Sequence, residues 1–156
     1  MTTREDFSDE EWAKVAELPA LVIMAACMSD GHIIPGMREL AAGSESLAAG
    51  VKAHPDNAVL QAMAATKPSA PETSKEEQSK VADAAGAVAL LSTQIEGGIA
   101  VAKAHLTVAE YEQVREVLLA SARAAVERLG DGFMGSGEKV TTSEAAFIDH
   151  LTTLFA

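Results

Sequence analysis

The chain reads as an all-α protein, a bundle of six or seven helices forming a single domain over 1–156. Three observations predict it. Apolar residues recur at spacings of three and four, which keeps them on one face of a helix. The pattern Ser/Thr-x-x-Glu, which marks a helix start, occurs at Ser8–Glu11, Ser74–Glu77, Thr107–Glu110 and Thr141–Glu144. No segment has the alternation or β-branched richness of a strand. Composition agrees, with 48% hydrophobic residues but only 4% aromatic ones. Much of the apolar fraction is alanine, the best helix former and small enough to let backbones approach.

The first helix starts at Ser8, with Phe7 and Trp12 placed as a hydrophobic staple across the capping box. It runs to Pro19, which either kinks it or starts a second helix. Both readings lead into Leu18–Met28, a stretch without charge. A segment apolar all round at helical length belongs in the centre of a bundle. Ser29-Asp30-Gly31 closes it, with Gly31 suited to the left-handed conformation of a helix end. Pro35 opens a helix over about 36–53, which Gly43 and Gly50 weaken or break. A short helix over about 57–66 carries Val59, Leu60 and Met63.

Residues 67–73, with Pro68 and Pro71, read as a linker between halves at about 7–66 and 74–156. The second half opens at Ser74. Its stripe, Val81, Ala84, Val88, Leu91, Ile95, Ile99, Ala102 and Leu106, stays in phase across Gly97-Gly98. One long helix with a weak point there is the expected form. The Thr107 helix carries Val114, Val117, Leu118, Ala122, Ala125 and Val126, and stops at Gly130. The last helix, from Thr141, shows Phe147, His150, Leu151, Leu154 and Phe155 on one face.

The halves align without gaps at a shift of 66 residues. Ser8, Glu10, Glu11, Lys14, Val15, Ala16, Val22, Gly31 and Ile33 fall on Ser74, Glu76, Glu77, Lys80, Val81, Ala82, Val88, Gly97 and Ile99. Shared capping chemistry contributes to the match. An internal repeat predicts that the two long helices pack as a pseudo-symmetric pair.

Net charge is −11. An acidic surface repels nucleic-acid phosphates and anionic lipid, so neither nucleic acid nor a membrane is an expected partner. The opening residues lack the basic-then-apolar pattern of a signal peptide, and Leu18–Met28 is about half the length that spans a bilayer. The single cysteine, Cys27, sits in the apolar run and reads as a buried structural thiol. These features predict a cytoplasmic protein.

Three stretches carry a family resemblance. They are Phe7-Ser8-Asp9-Glu10-Glu11-Trp12 with Leu18-Pro19 and Ser29-Asp30-Gly31; Ala89-Leu90-Leu91 with Glu110-Tyr111; and Gly132 through Glu144. Together they resemble a group of small actinobacterial helical proteins, loosely similar to the tellurite-resistance TerB-like fold. The resemblance implies an all-helical fold of two similar halves and a link to divalent cations and stress, with no catalytic residue set. The sequence departs from that pattern by spacing out its acidic residues, the next after Asp30 being Glu39.

Gly130-x-Gly132-x-x-Gly135 matches a dinucleotide fingerprint in form, but a helix precedes it where a strand is needed. Gly132 to Lys139 nearly matches a phosphate loop, with Glu138 where its lysine belongs. The metal-ligand candidates are Asp30, Asp131 and Glu138, with Glu144 better explained as a cap. No two of the four histidines stand three or four apart, so no helix presents a ligand pair. No cofactor is predicted beyond a possible divalent metal. The expected function is therefore non-enzymatic: binding a protein partner or a second copy, with an apolar patch around Phe147, Leu151 and Phe155. The alternatives are a divalent-cation-binding stress protein and a small-ligand binder or enzyme with a pocket between the halves.

Overall fold

The computed structural model describes residues 1–31, 37–66, 83–129 and 141–156. Among the described residues there are six α-helices and no strand. They are α1 (Asp9–Met28), α2 (Met37–Ala53), α3 (Ala58–Ala65), α4 (Ala84–His105), α5 (Val108–Leu129) and α6 (Thr142–Phe155), after a short 3-10 turn at Arg4–Asp6. The linker 67–73, the Ser74–Glu77 start and the glycine-rich 130–140 lie outside the described residues.

The helix starts follow from local chemistry. The Ser8 hydroxyl accepts the Glu11 N–H at 3.3 Å, and the Glu11 carboxylate accepts the Ser8 N–H at 2.9 Å. The same reciprocal pair closes Thr107–Glu110 and Thr141–Glu144. The Asn57 side chain accepts the Leu60 N–H at 3.0 Å and starts α3. Its amide also donates to the Glu110 carbonyl and to Gln113, so one buried cap ties α3 to α5. Asp83 caps α4 through the Gly86 N–H at 2.8 Å. Gly31, with φ +97°, takes the left-handed position after α1.

Proline does not divide α1, which is one helix with Pro19 buried inside it. Its core residues lie all round it: Val15, Leu18, Val22, Ala25, Ala26 and Cys27 are fully buried. It packs on each of the other five helices. The most extensive pairings join α2 to α5 and α1 to α4. Those pairings need glycine. A Cβ on Gly98 would stand 2.7 Å from both Leu18 Cδ2 and the Lys14 carbonyl oxygen. A Cβ on Gly50 would meet Val117 at 2.7 Å, and one on Gly43 would meet Ile23 at 2.8 Å. The expected weak points in α2 and α4 are therefore close approaches inside unbroken helices. Of the 66-residue register, Ile33 and Ser74 through Ala82 lie outside the described residues; at the described glycine pair, Gly31 follows the end of α1 whereas Gly97 lies within α4.

The chain before α1 is clasped to the corner between α4 and α5. Glu110, while capping α5, accepts the Thr2 N–H at 2.7 Å and the Thr2 hydroxyl at 2.9 Å. Glu11 pairs with His105 at 3.1 Å, and the Phe7 ring packs on the same imidazole at 4.6 Å between centroids. Phe7 and Trp12 make the expected staple at 5.7 Å. Burial pushes Glu110 up, but the hydrogen bonds from Thr2 and Thr107 outweigh it and hold it at about 2. The backbone and hydroxyl of Ser8, then His105, hold Glu11 at about 2.

Two adjacent glycines test the packing. Gly98→Ala should cost about 1–3 kcal/mol, because a backbone oxygen must move. Gly97→Ala meets nothing within 4 Å and should raise stability by up to about 1 kcal/mol through helix propensity. Urea midpoints of the two variants check this, and equal effects would contradict the α1–α4 contact. A second expectation concerns acid. Both glutamates titrate in the fold below their ordinary 4.5, so their stabilisation is complete above 4.5 and is lost as pH falls towards 2. The thermal midpoint should fall through that window, with a shallower fall in Glu110→Gln; parallel profiles would show that Glu110 is not held down.

Candidate functional site

Helix α4 is strongly apolar, with mean hydropathy 1.4 over an 18-residue window and Glu96 and Lys103 as its charged residues, yet only a third of that window is buried. By length and composition it could cross a membrane. Leu91, Ile95, Gly98, Ile99 and Ala102 fill the buried side, against α1 and the core. The opposite side leaves Ala85, Ala89, Thr93, Ala100 and Ala104 exposed, together with the charged Glu96 and Lys103. Gly97 lies there with no atom near its missing side chain.

Beside that surface runs a groove of about 540 Å³ between the end of α1, α4 and α6. Met28, Val88 and Phe147 make its apolar wall, and Ser92, Glu96 and His150 its polar edge. Its position follows from the helix ends. Gly31 turns the chain away after Met28, and the Thr141–Glu144 cap starts α6 so that Ser143, Phe147 and His150 share one face. A second, more apolar groove of about 340 Å³ lies between α1, α2 and α3, walled by Ile23, Leu40, Leu47 and Met63.

The expected interaction patch is corrected. Phe147, Leu151 and Phe155 are all buried, with exposures of 6%, 0% and 1%. They close the core, and the Tyr111 hydroxyl holds the end of α6 by donating to the Phe155 carbonyl at 2.9 Å. An apolar helix face shows that something covers it; here the cover is the chain's own bundle. His150 moves the other way, from an expected core or interface position to an exposed one at the groove.

The metal candidates do not assemble among the described residues, where no three His, Cys, Asp or Glu side chains gather as ligands. Asp131 and Glu138 lie outside the described residues. Asp30 follows α1, and its charge, with that of Glu39, acts on Cys27. Glu144 is a cap: one carboxylate oxygen accepts the Thr141 N–H at 2.5 Å. The other is buried without a hydrogen-bond partner. Cys27 is buried, and burial, then Glu39 and Asp30, push its thiol up to about 12. Such a thiol is not a nucleophile at neutral pH.

Ser92 and Glu96 were not legible as site residues because they interrupt an apolar stripe in the manner of ordinary surface positions. The available signal was their spacing of four, which puts both on the flank of α4 beside Val88. No family model, no curated protein and no solved structure matches the chain.

A thiol-specific maleimide should leave Cys27 unmodified in the native protein and label it stoichiometrically in denaturant. Rapid native labelling, as fast as the unfolded rate, would contradict its burial.

Proposed function

We propose that the protein is a non-enzymatic, cytoplasmic helical interaction protein that pairs the outward side of α4 with a protein partner, in the simplest case a second copy of itself. One observation carries this reading: a strongly apolar helix, with mean hydropathy 1.4 over 18 residues, of which only a third are buried. Gly97 adds to it. A glycine in mid-helix costs about 1 kcal/mol relative to alanine. At Gly98 close contact with α1 explains the glycine, and at Gly97 the described residues offer no contact. Alanine, glycine and threonine on that side would let a partner helix approach closely, as they do inside this bundle. The strongly acidic surface argues for a protein partner over nucleic acid or an anionic membrane.

Native mass spectrometry, before and after chelator, tests the proposal. The expected result is a dimer without excess mass. Ala100→Glu, which places a charge on an exposed position of the α4 surface, should shift it to monomer while leaving the circular dichroism spectrum unchanged and abolishing the concentration dependence of the thermal midpoint. A wild-type monomer carrying a chelator-sensitive mass would overturn the proposal in favour of the cation-binding stress protein that the TerB-like resemblance implies. A dimer indifferent to Ala100→Glu would remove α4 from the interface.

A further inference from the structure

The groove between the end of α1, α4 and α6 shares Ala85, Ala89 and Thr93 with the outward side of α4, so a ligand there and a partner on α4 compete, and its chemistry is that of the unpaired chain. Its volume, about 540 Å³, lies within the range of small-molecule sites. The wall is apolar and includes the Phe147 ring and the Met28 thioether, and the edge carries hydroxyls from Ser92 and Ser143. The charge on the edge is one-sided. Glu96 is its carboxylate, and among the described residues no lysine or arginine lines the groove. The end of α1, at Met28 and Ser29, also forms part of the lining. The carboxyl end of a helix carries partial negative charge, and the last turn of α1 has no basic residue to balance it. The exposed His150 imidazole completes the edge.

We infer that this groove is a binding site for a small amphiphilic organic cation, an alkyl or aryl amine. Its apolar body lies along Val88, Met28 and Phe147, and its ammonium faces Glu96 and the end of α1. The hydroxyls of Ser92 and Ser143 serve as acceptors for the ammonium hydrogens. An anionic amphiphile of the same length meets the same wall with the wrong charge, and a neutral one lacks the attraction to Glu96.

The test compares octylamine, octanol and octanoate by amide chemical-shift titration of the full chain. The expected result is saturable shifts for octylamine at Val88, Ser92 and Phe147, with octanol weaker and octanoate weakest. Glu96→Gln, a change at an exposed position, should weaken octylamine about three- to fivefold and leave octanol unchanged. Val88→Ser should weaken both. Equal binding of octylamine and octanol, or an unchanged octylamine affinity in Glu96→Gln, would overturn the cation assignment. Shifts confined to the α1–α2–α3 groove, or no saturable shift with any of the three, would overturn the site. The titration is read at a protein concentration where mass spectrometry finds the unpaired chain, and the Ala100→Glu monomer is titrated alongside. A failed dimer with intact octylamine binding leaves this inference standing, and a dimer whose Ala100→Glu monomer fails to bind octylamine removes it alone.

Discussion

The bundle depends on covering α1 on every side. From Leu21 to Met28 nearly every side chain of that helix is buried, so no face of it can be given to water. A helix with a single apolar stripe needs one neighbour; this one needs a ring of them, and the other five helices supply it. Close approach is part of the solution. Alanine and valine are too small to fill wide gaps, so the neighbouring backbones must come in. Gly98 lets α4 reach the Lys14 carbonyl of α1, and Gly43 lets α2 reach Ile23. A bundle built from large side chains could stand further apart. This one has few aromatics, and its packing density comes from backbone proximity.

Polar side chains set where each helix begins, and several then serve a second contact. Glu110 caps α5 and also receives Thr2; Asn57 caps α3 and also reaches α5; Glu11 caps α1 and also meets His105 at the end of α4. Each element start is therefore coupled to the placement of a distant segment. The acidic caps lie at helix amino ends, where the dipole favours them, and a capping carboxylate with two strong donors has little tendency to take up a proton. Part of the large negative charge of the chain is thus a structural requirement of its helix starts and not a free surface field.

Local chemistry was legible in the sequence, and anything decided by a second surface was not. Ser8–Glu11, Thr107–Glu110 and Thr141–Glu144 are pairs within four residues, so their spacing alone predicts their geometry. Gly31 likewise needs only its own backbone. Gly43, Gly50 and Gly98 were ambiguous, since the same residue that weakens an isolated helix permits a close crossing, and the deciding atoms belong to Ile23, Val117 and Leu18. The apolar face of α6 was legible as a face, but not as core, because periodicity records that Phe147, Leu151 and Phe155 are covered and not by what. The 66-residue register rests on capping residues and apolar spacing that any two helix starts share, and most of its matched positions in the second half, 74–82, lie outside the described residues.

The groove beside α4 was the least legible feature, for a physical reason that bears on its use. Each of its residues satisfies an ordinary local rule: Met28 ends a buried run, Ser92 is a small buried hydroxyl on α4, Glu96 fills a surface position, and His150 follows Phe147 by one turn. Only the crossing of three helices makes a concavity of them. The resulting site combines walls that already belong to the core with an edge that belongs to solvent. Phe147 and Met28 are held in place by the same packing that covers α1, so the apolar wall is rigid before anything binds. Glu96, by contrast, is exposed and free of any core role. Shape is thereby fixed by the fold, while charge selectivity rests on a residue that can change without disturbing it. That separation makes it possible to probe selectivity at Glu96 without unfolding the bundle.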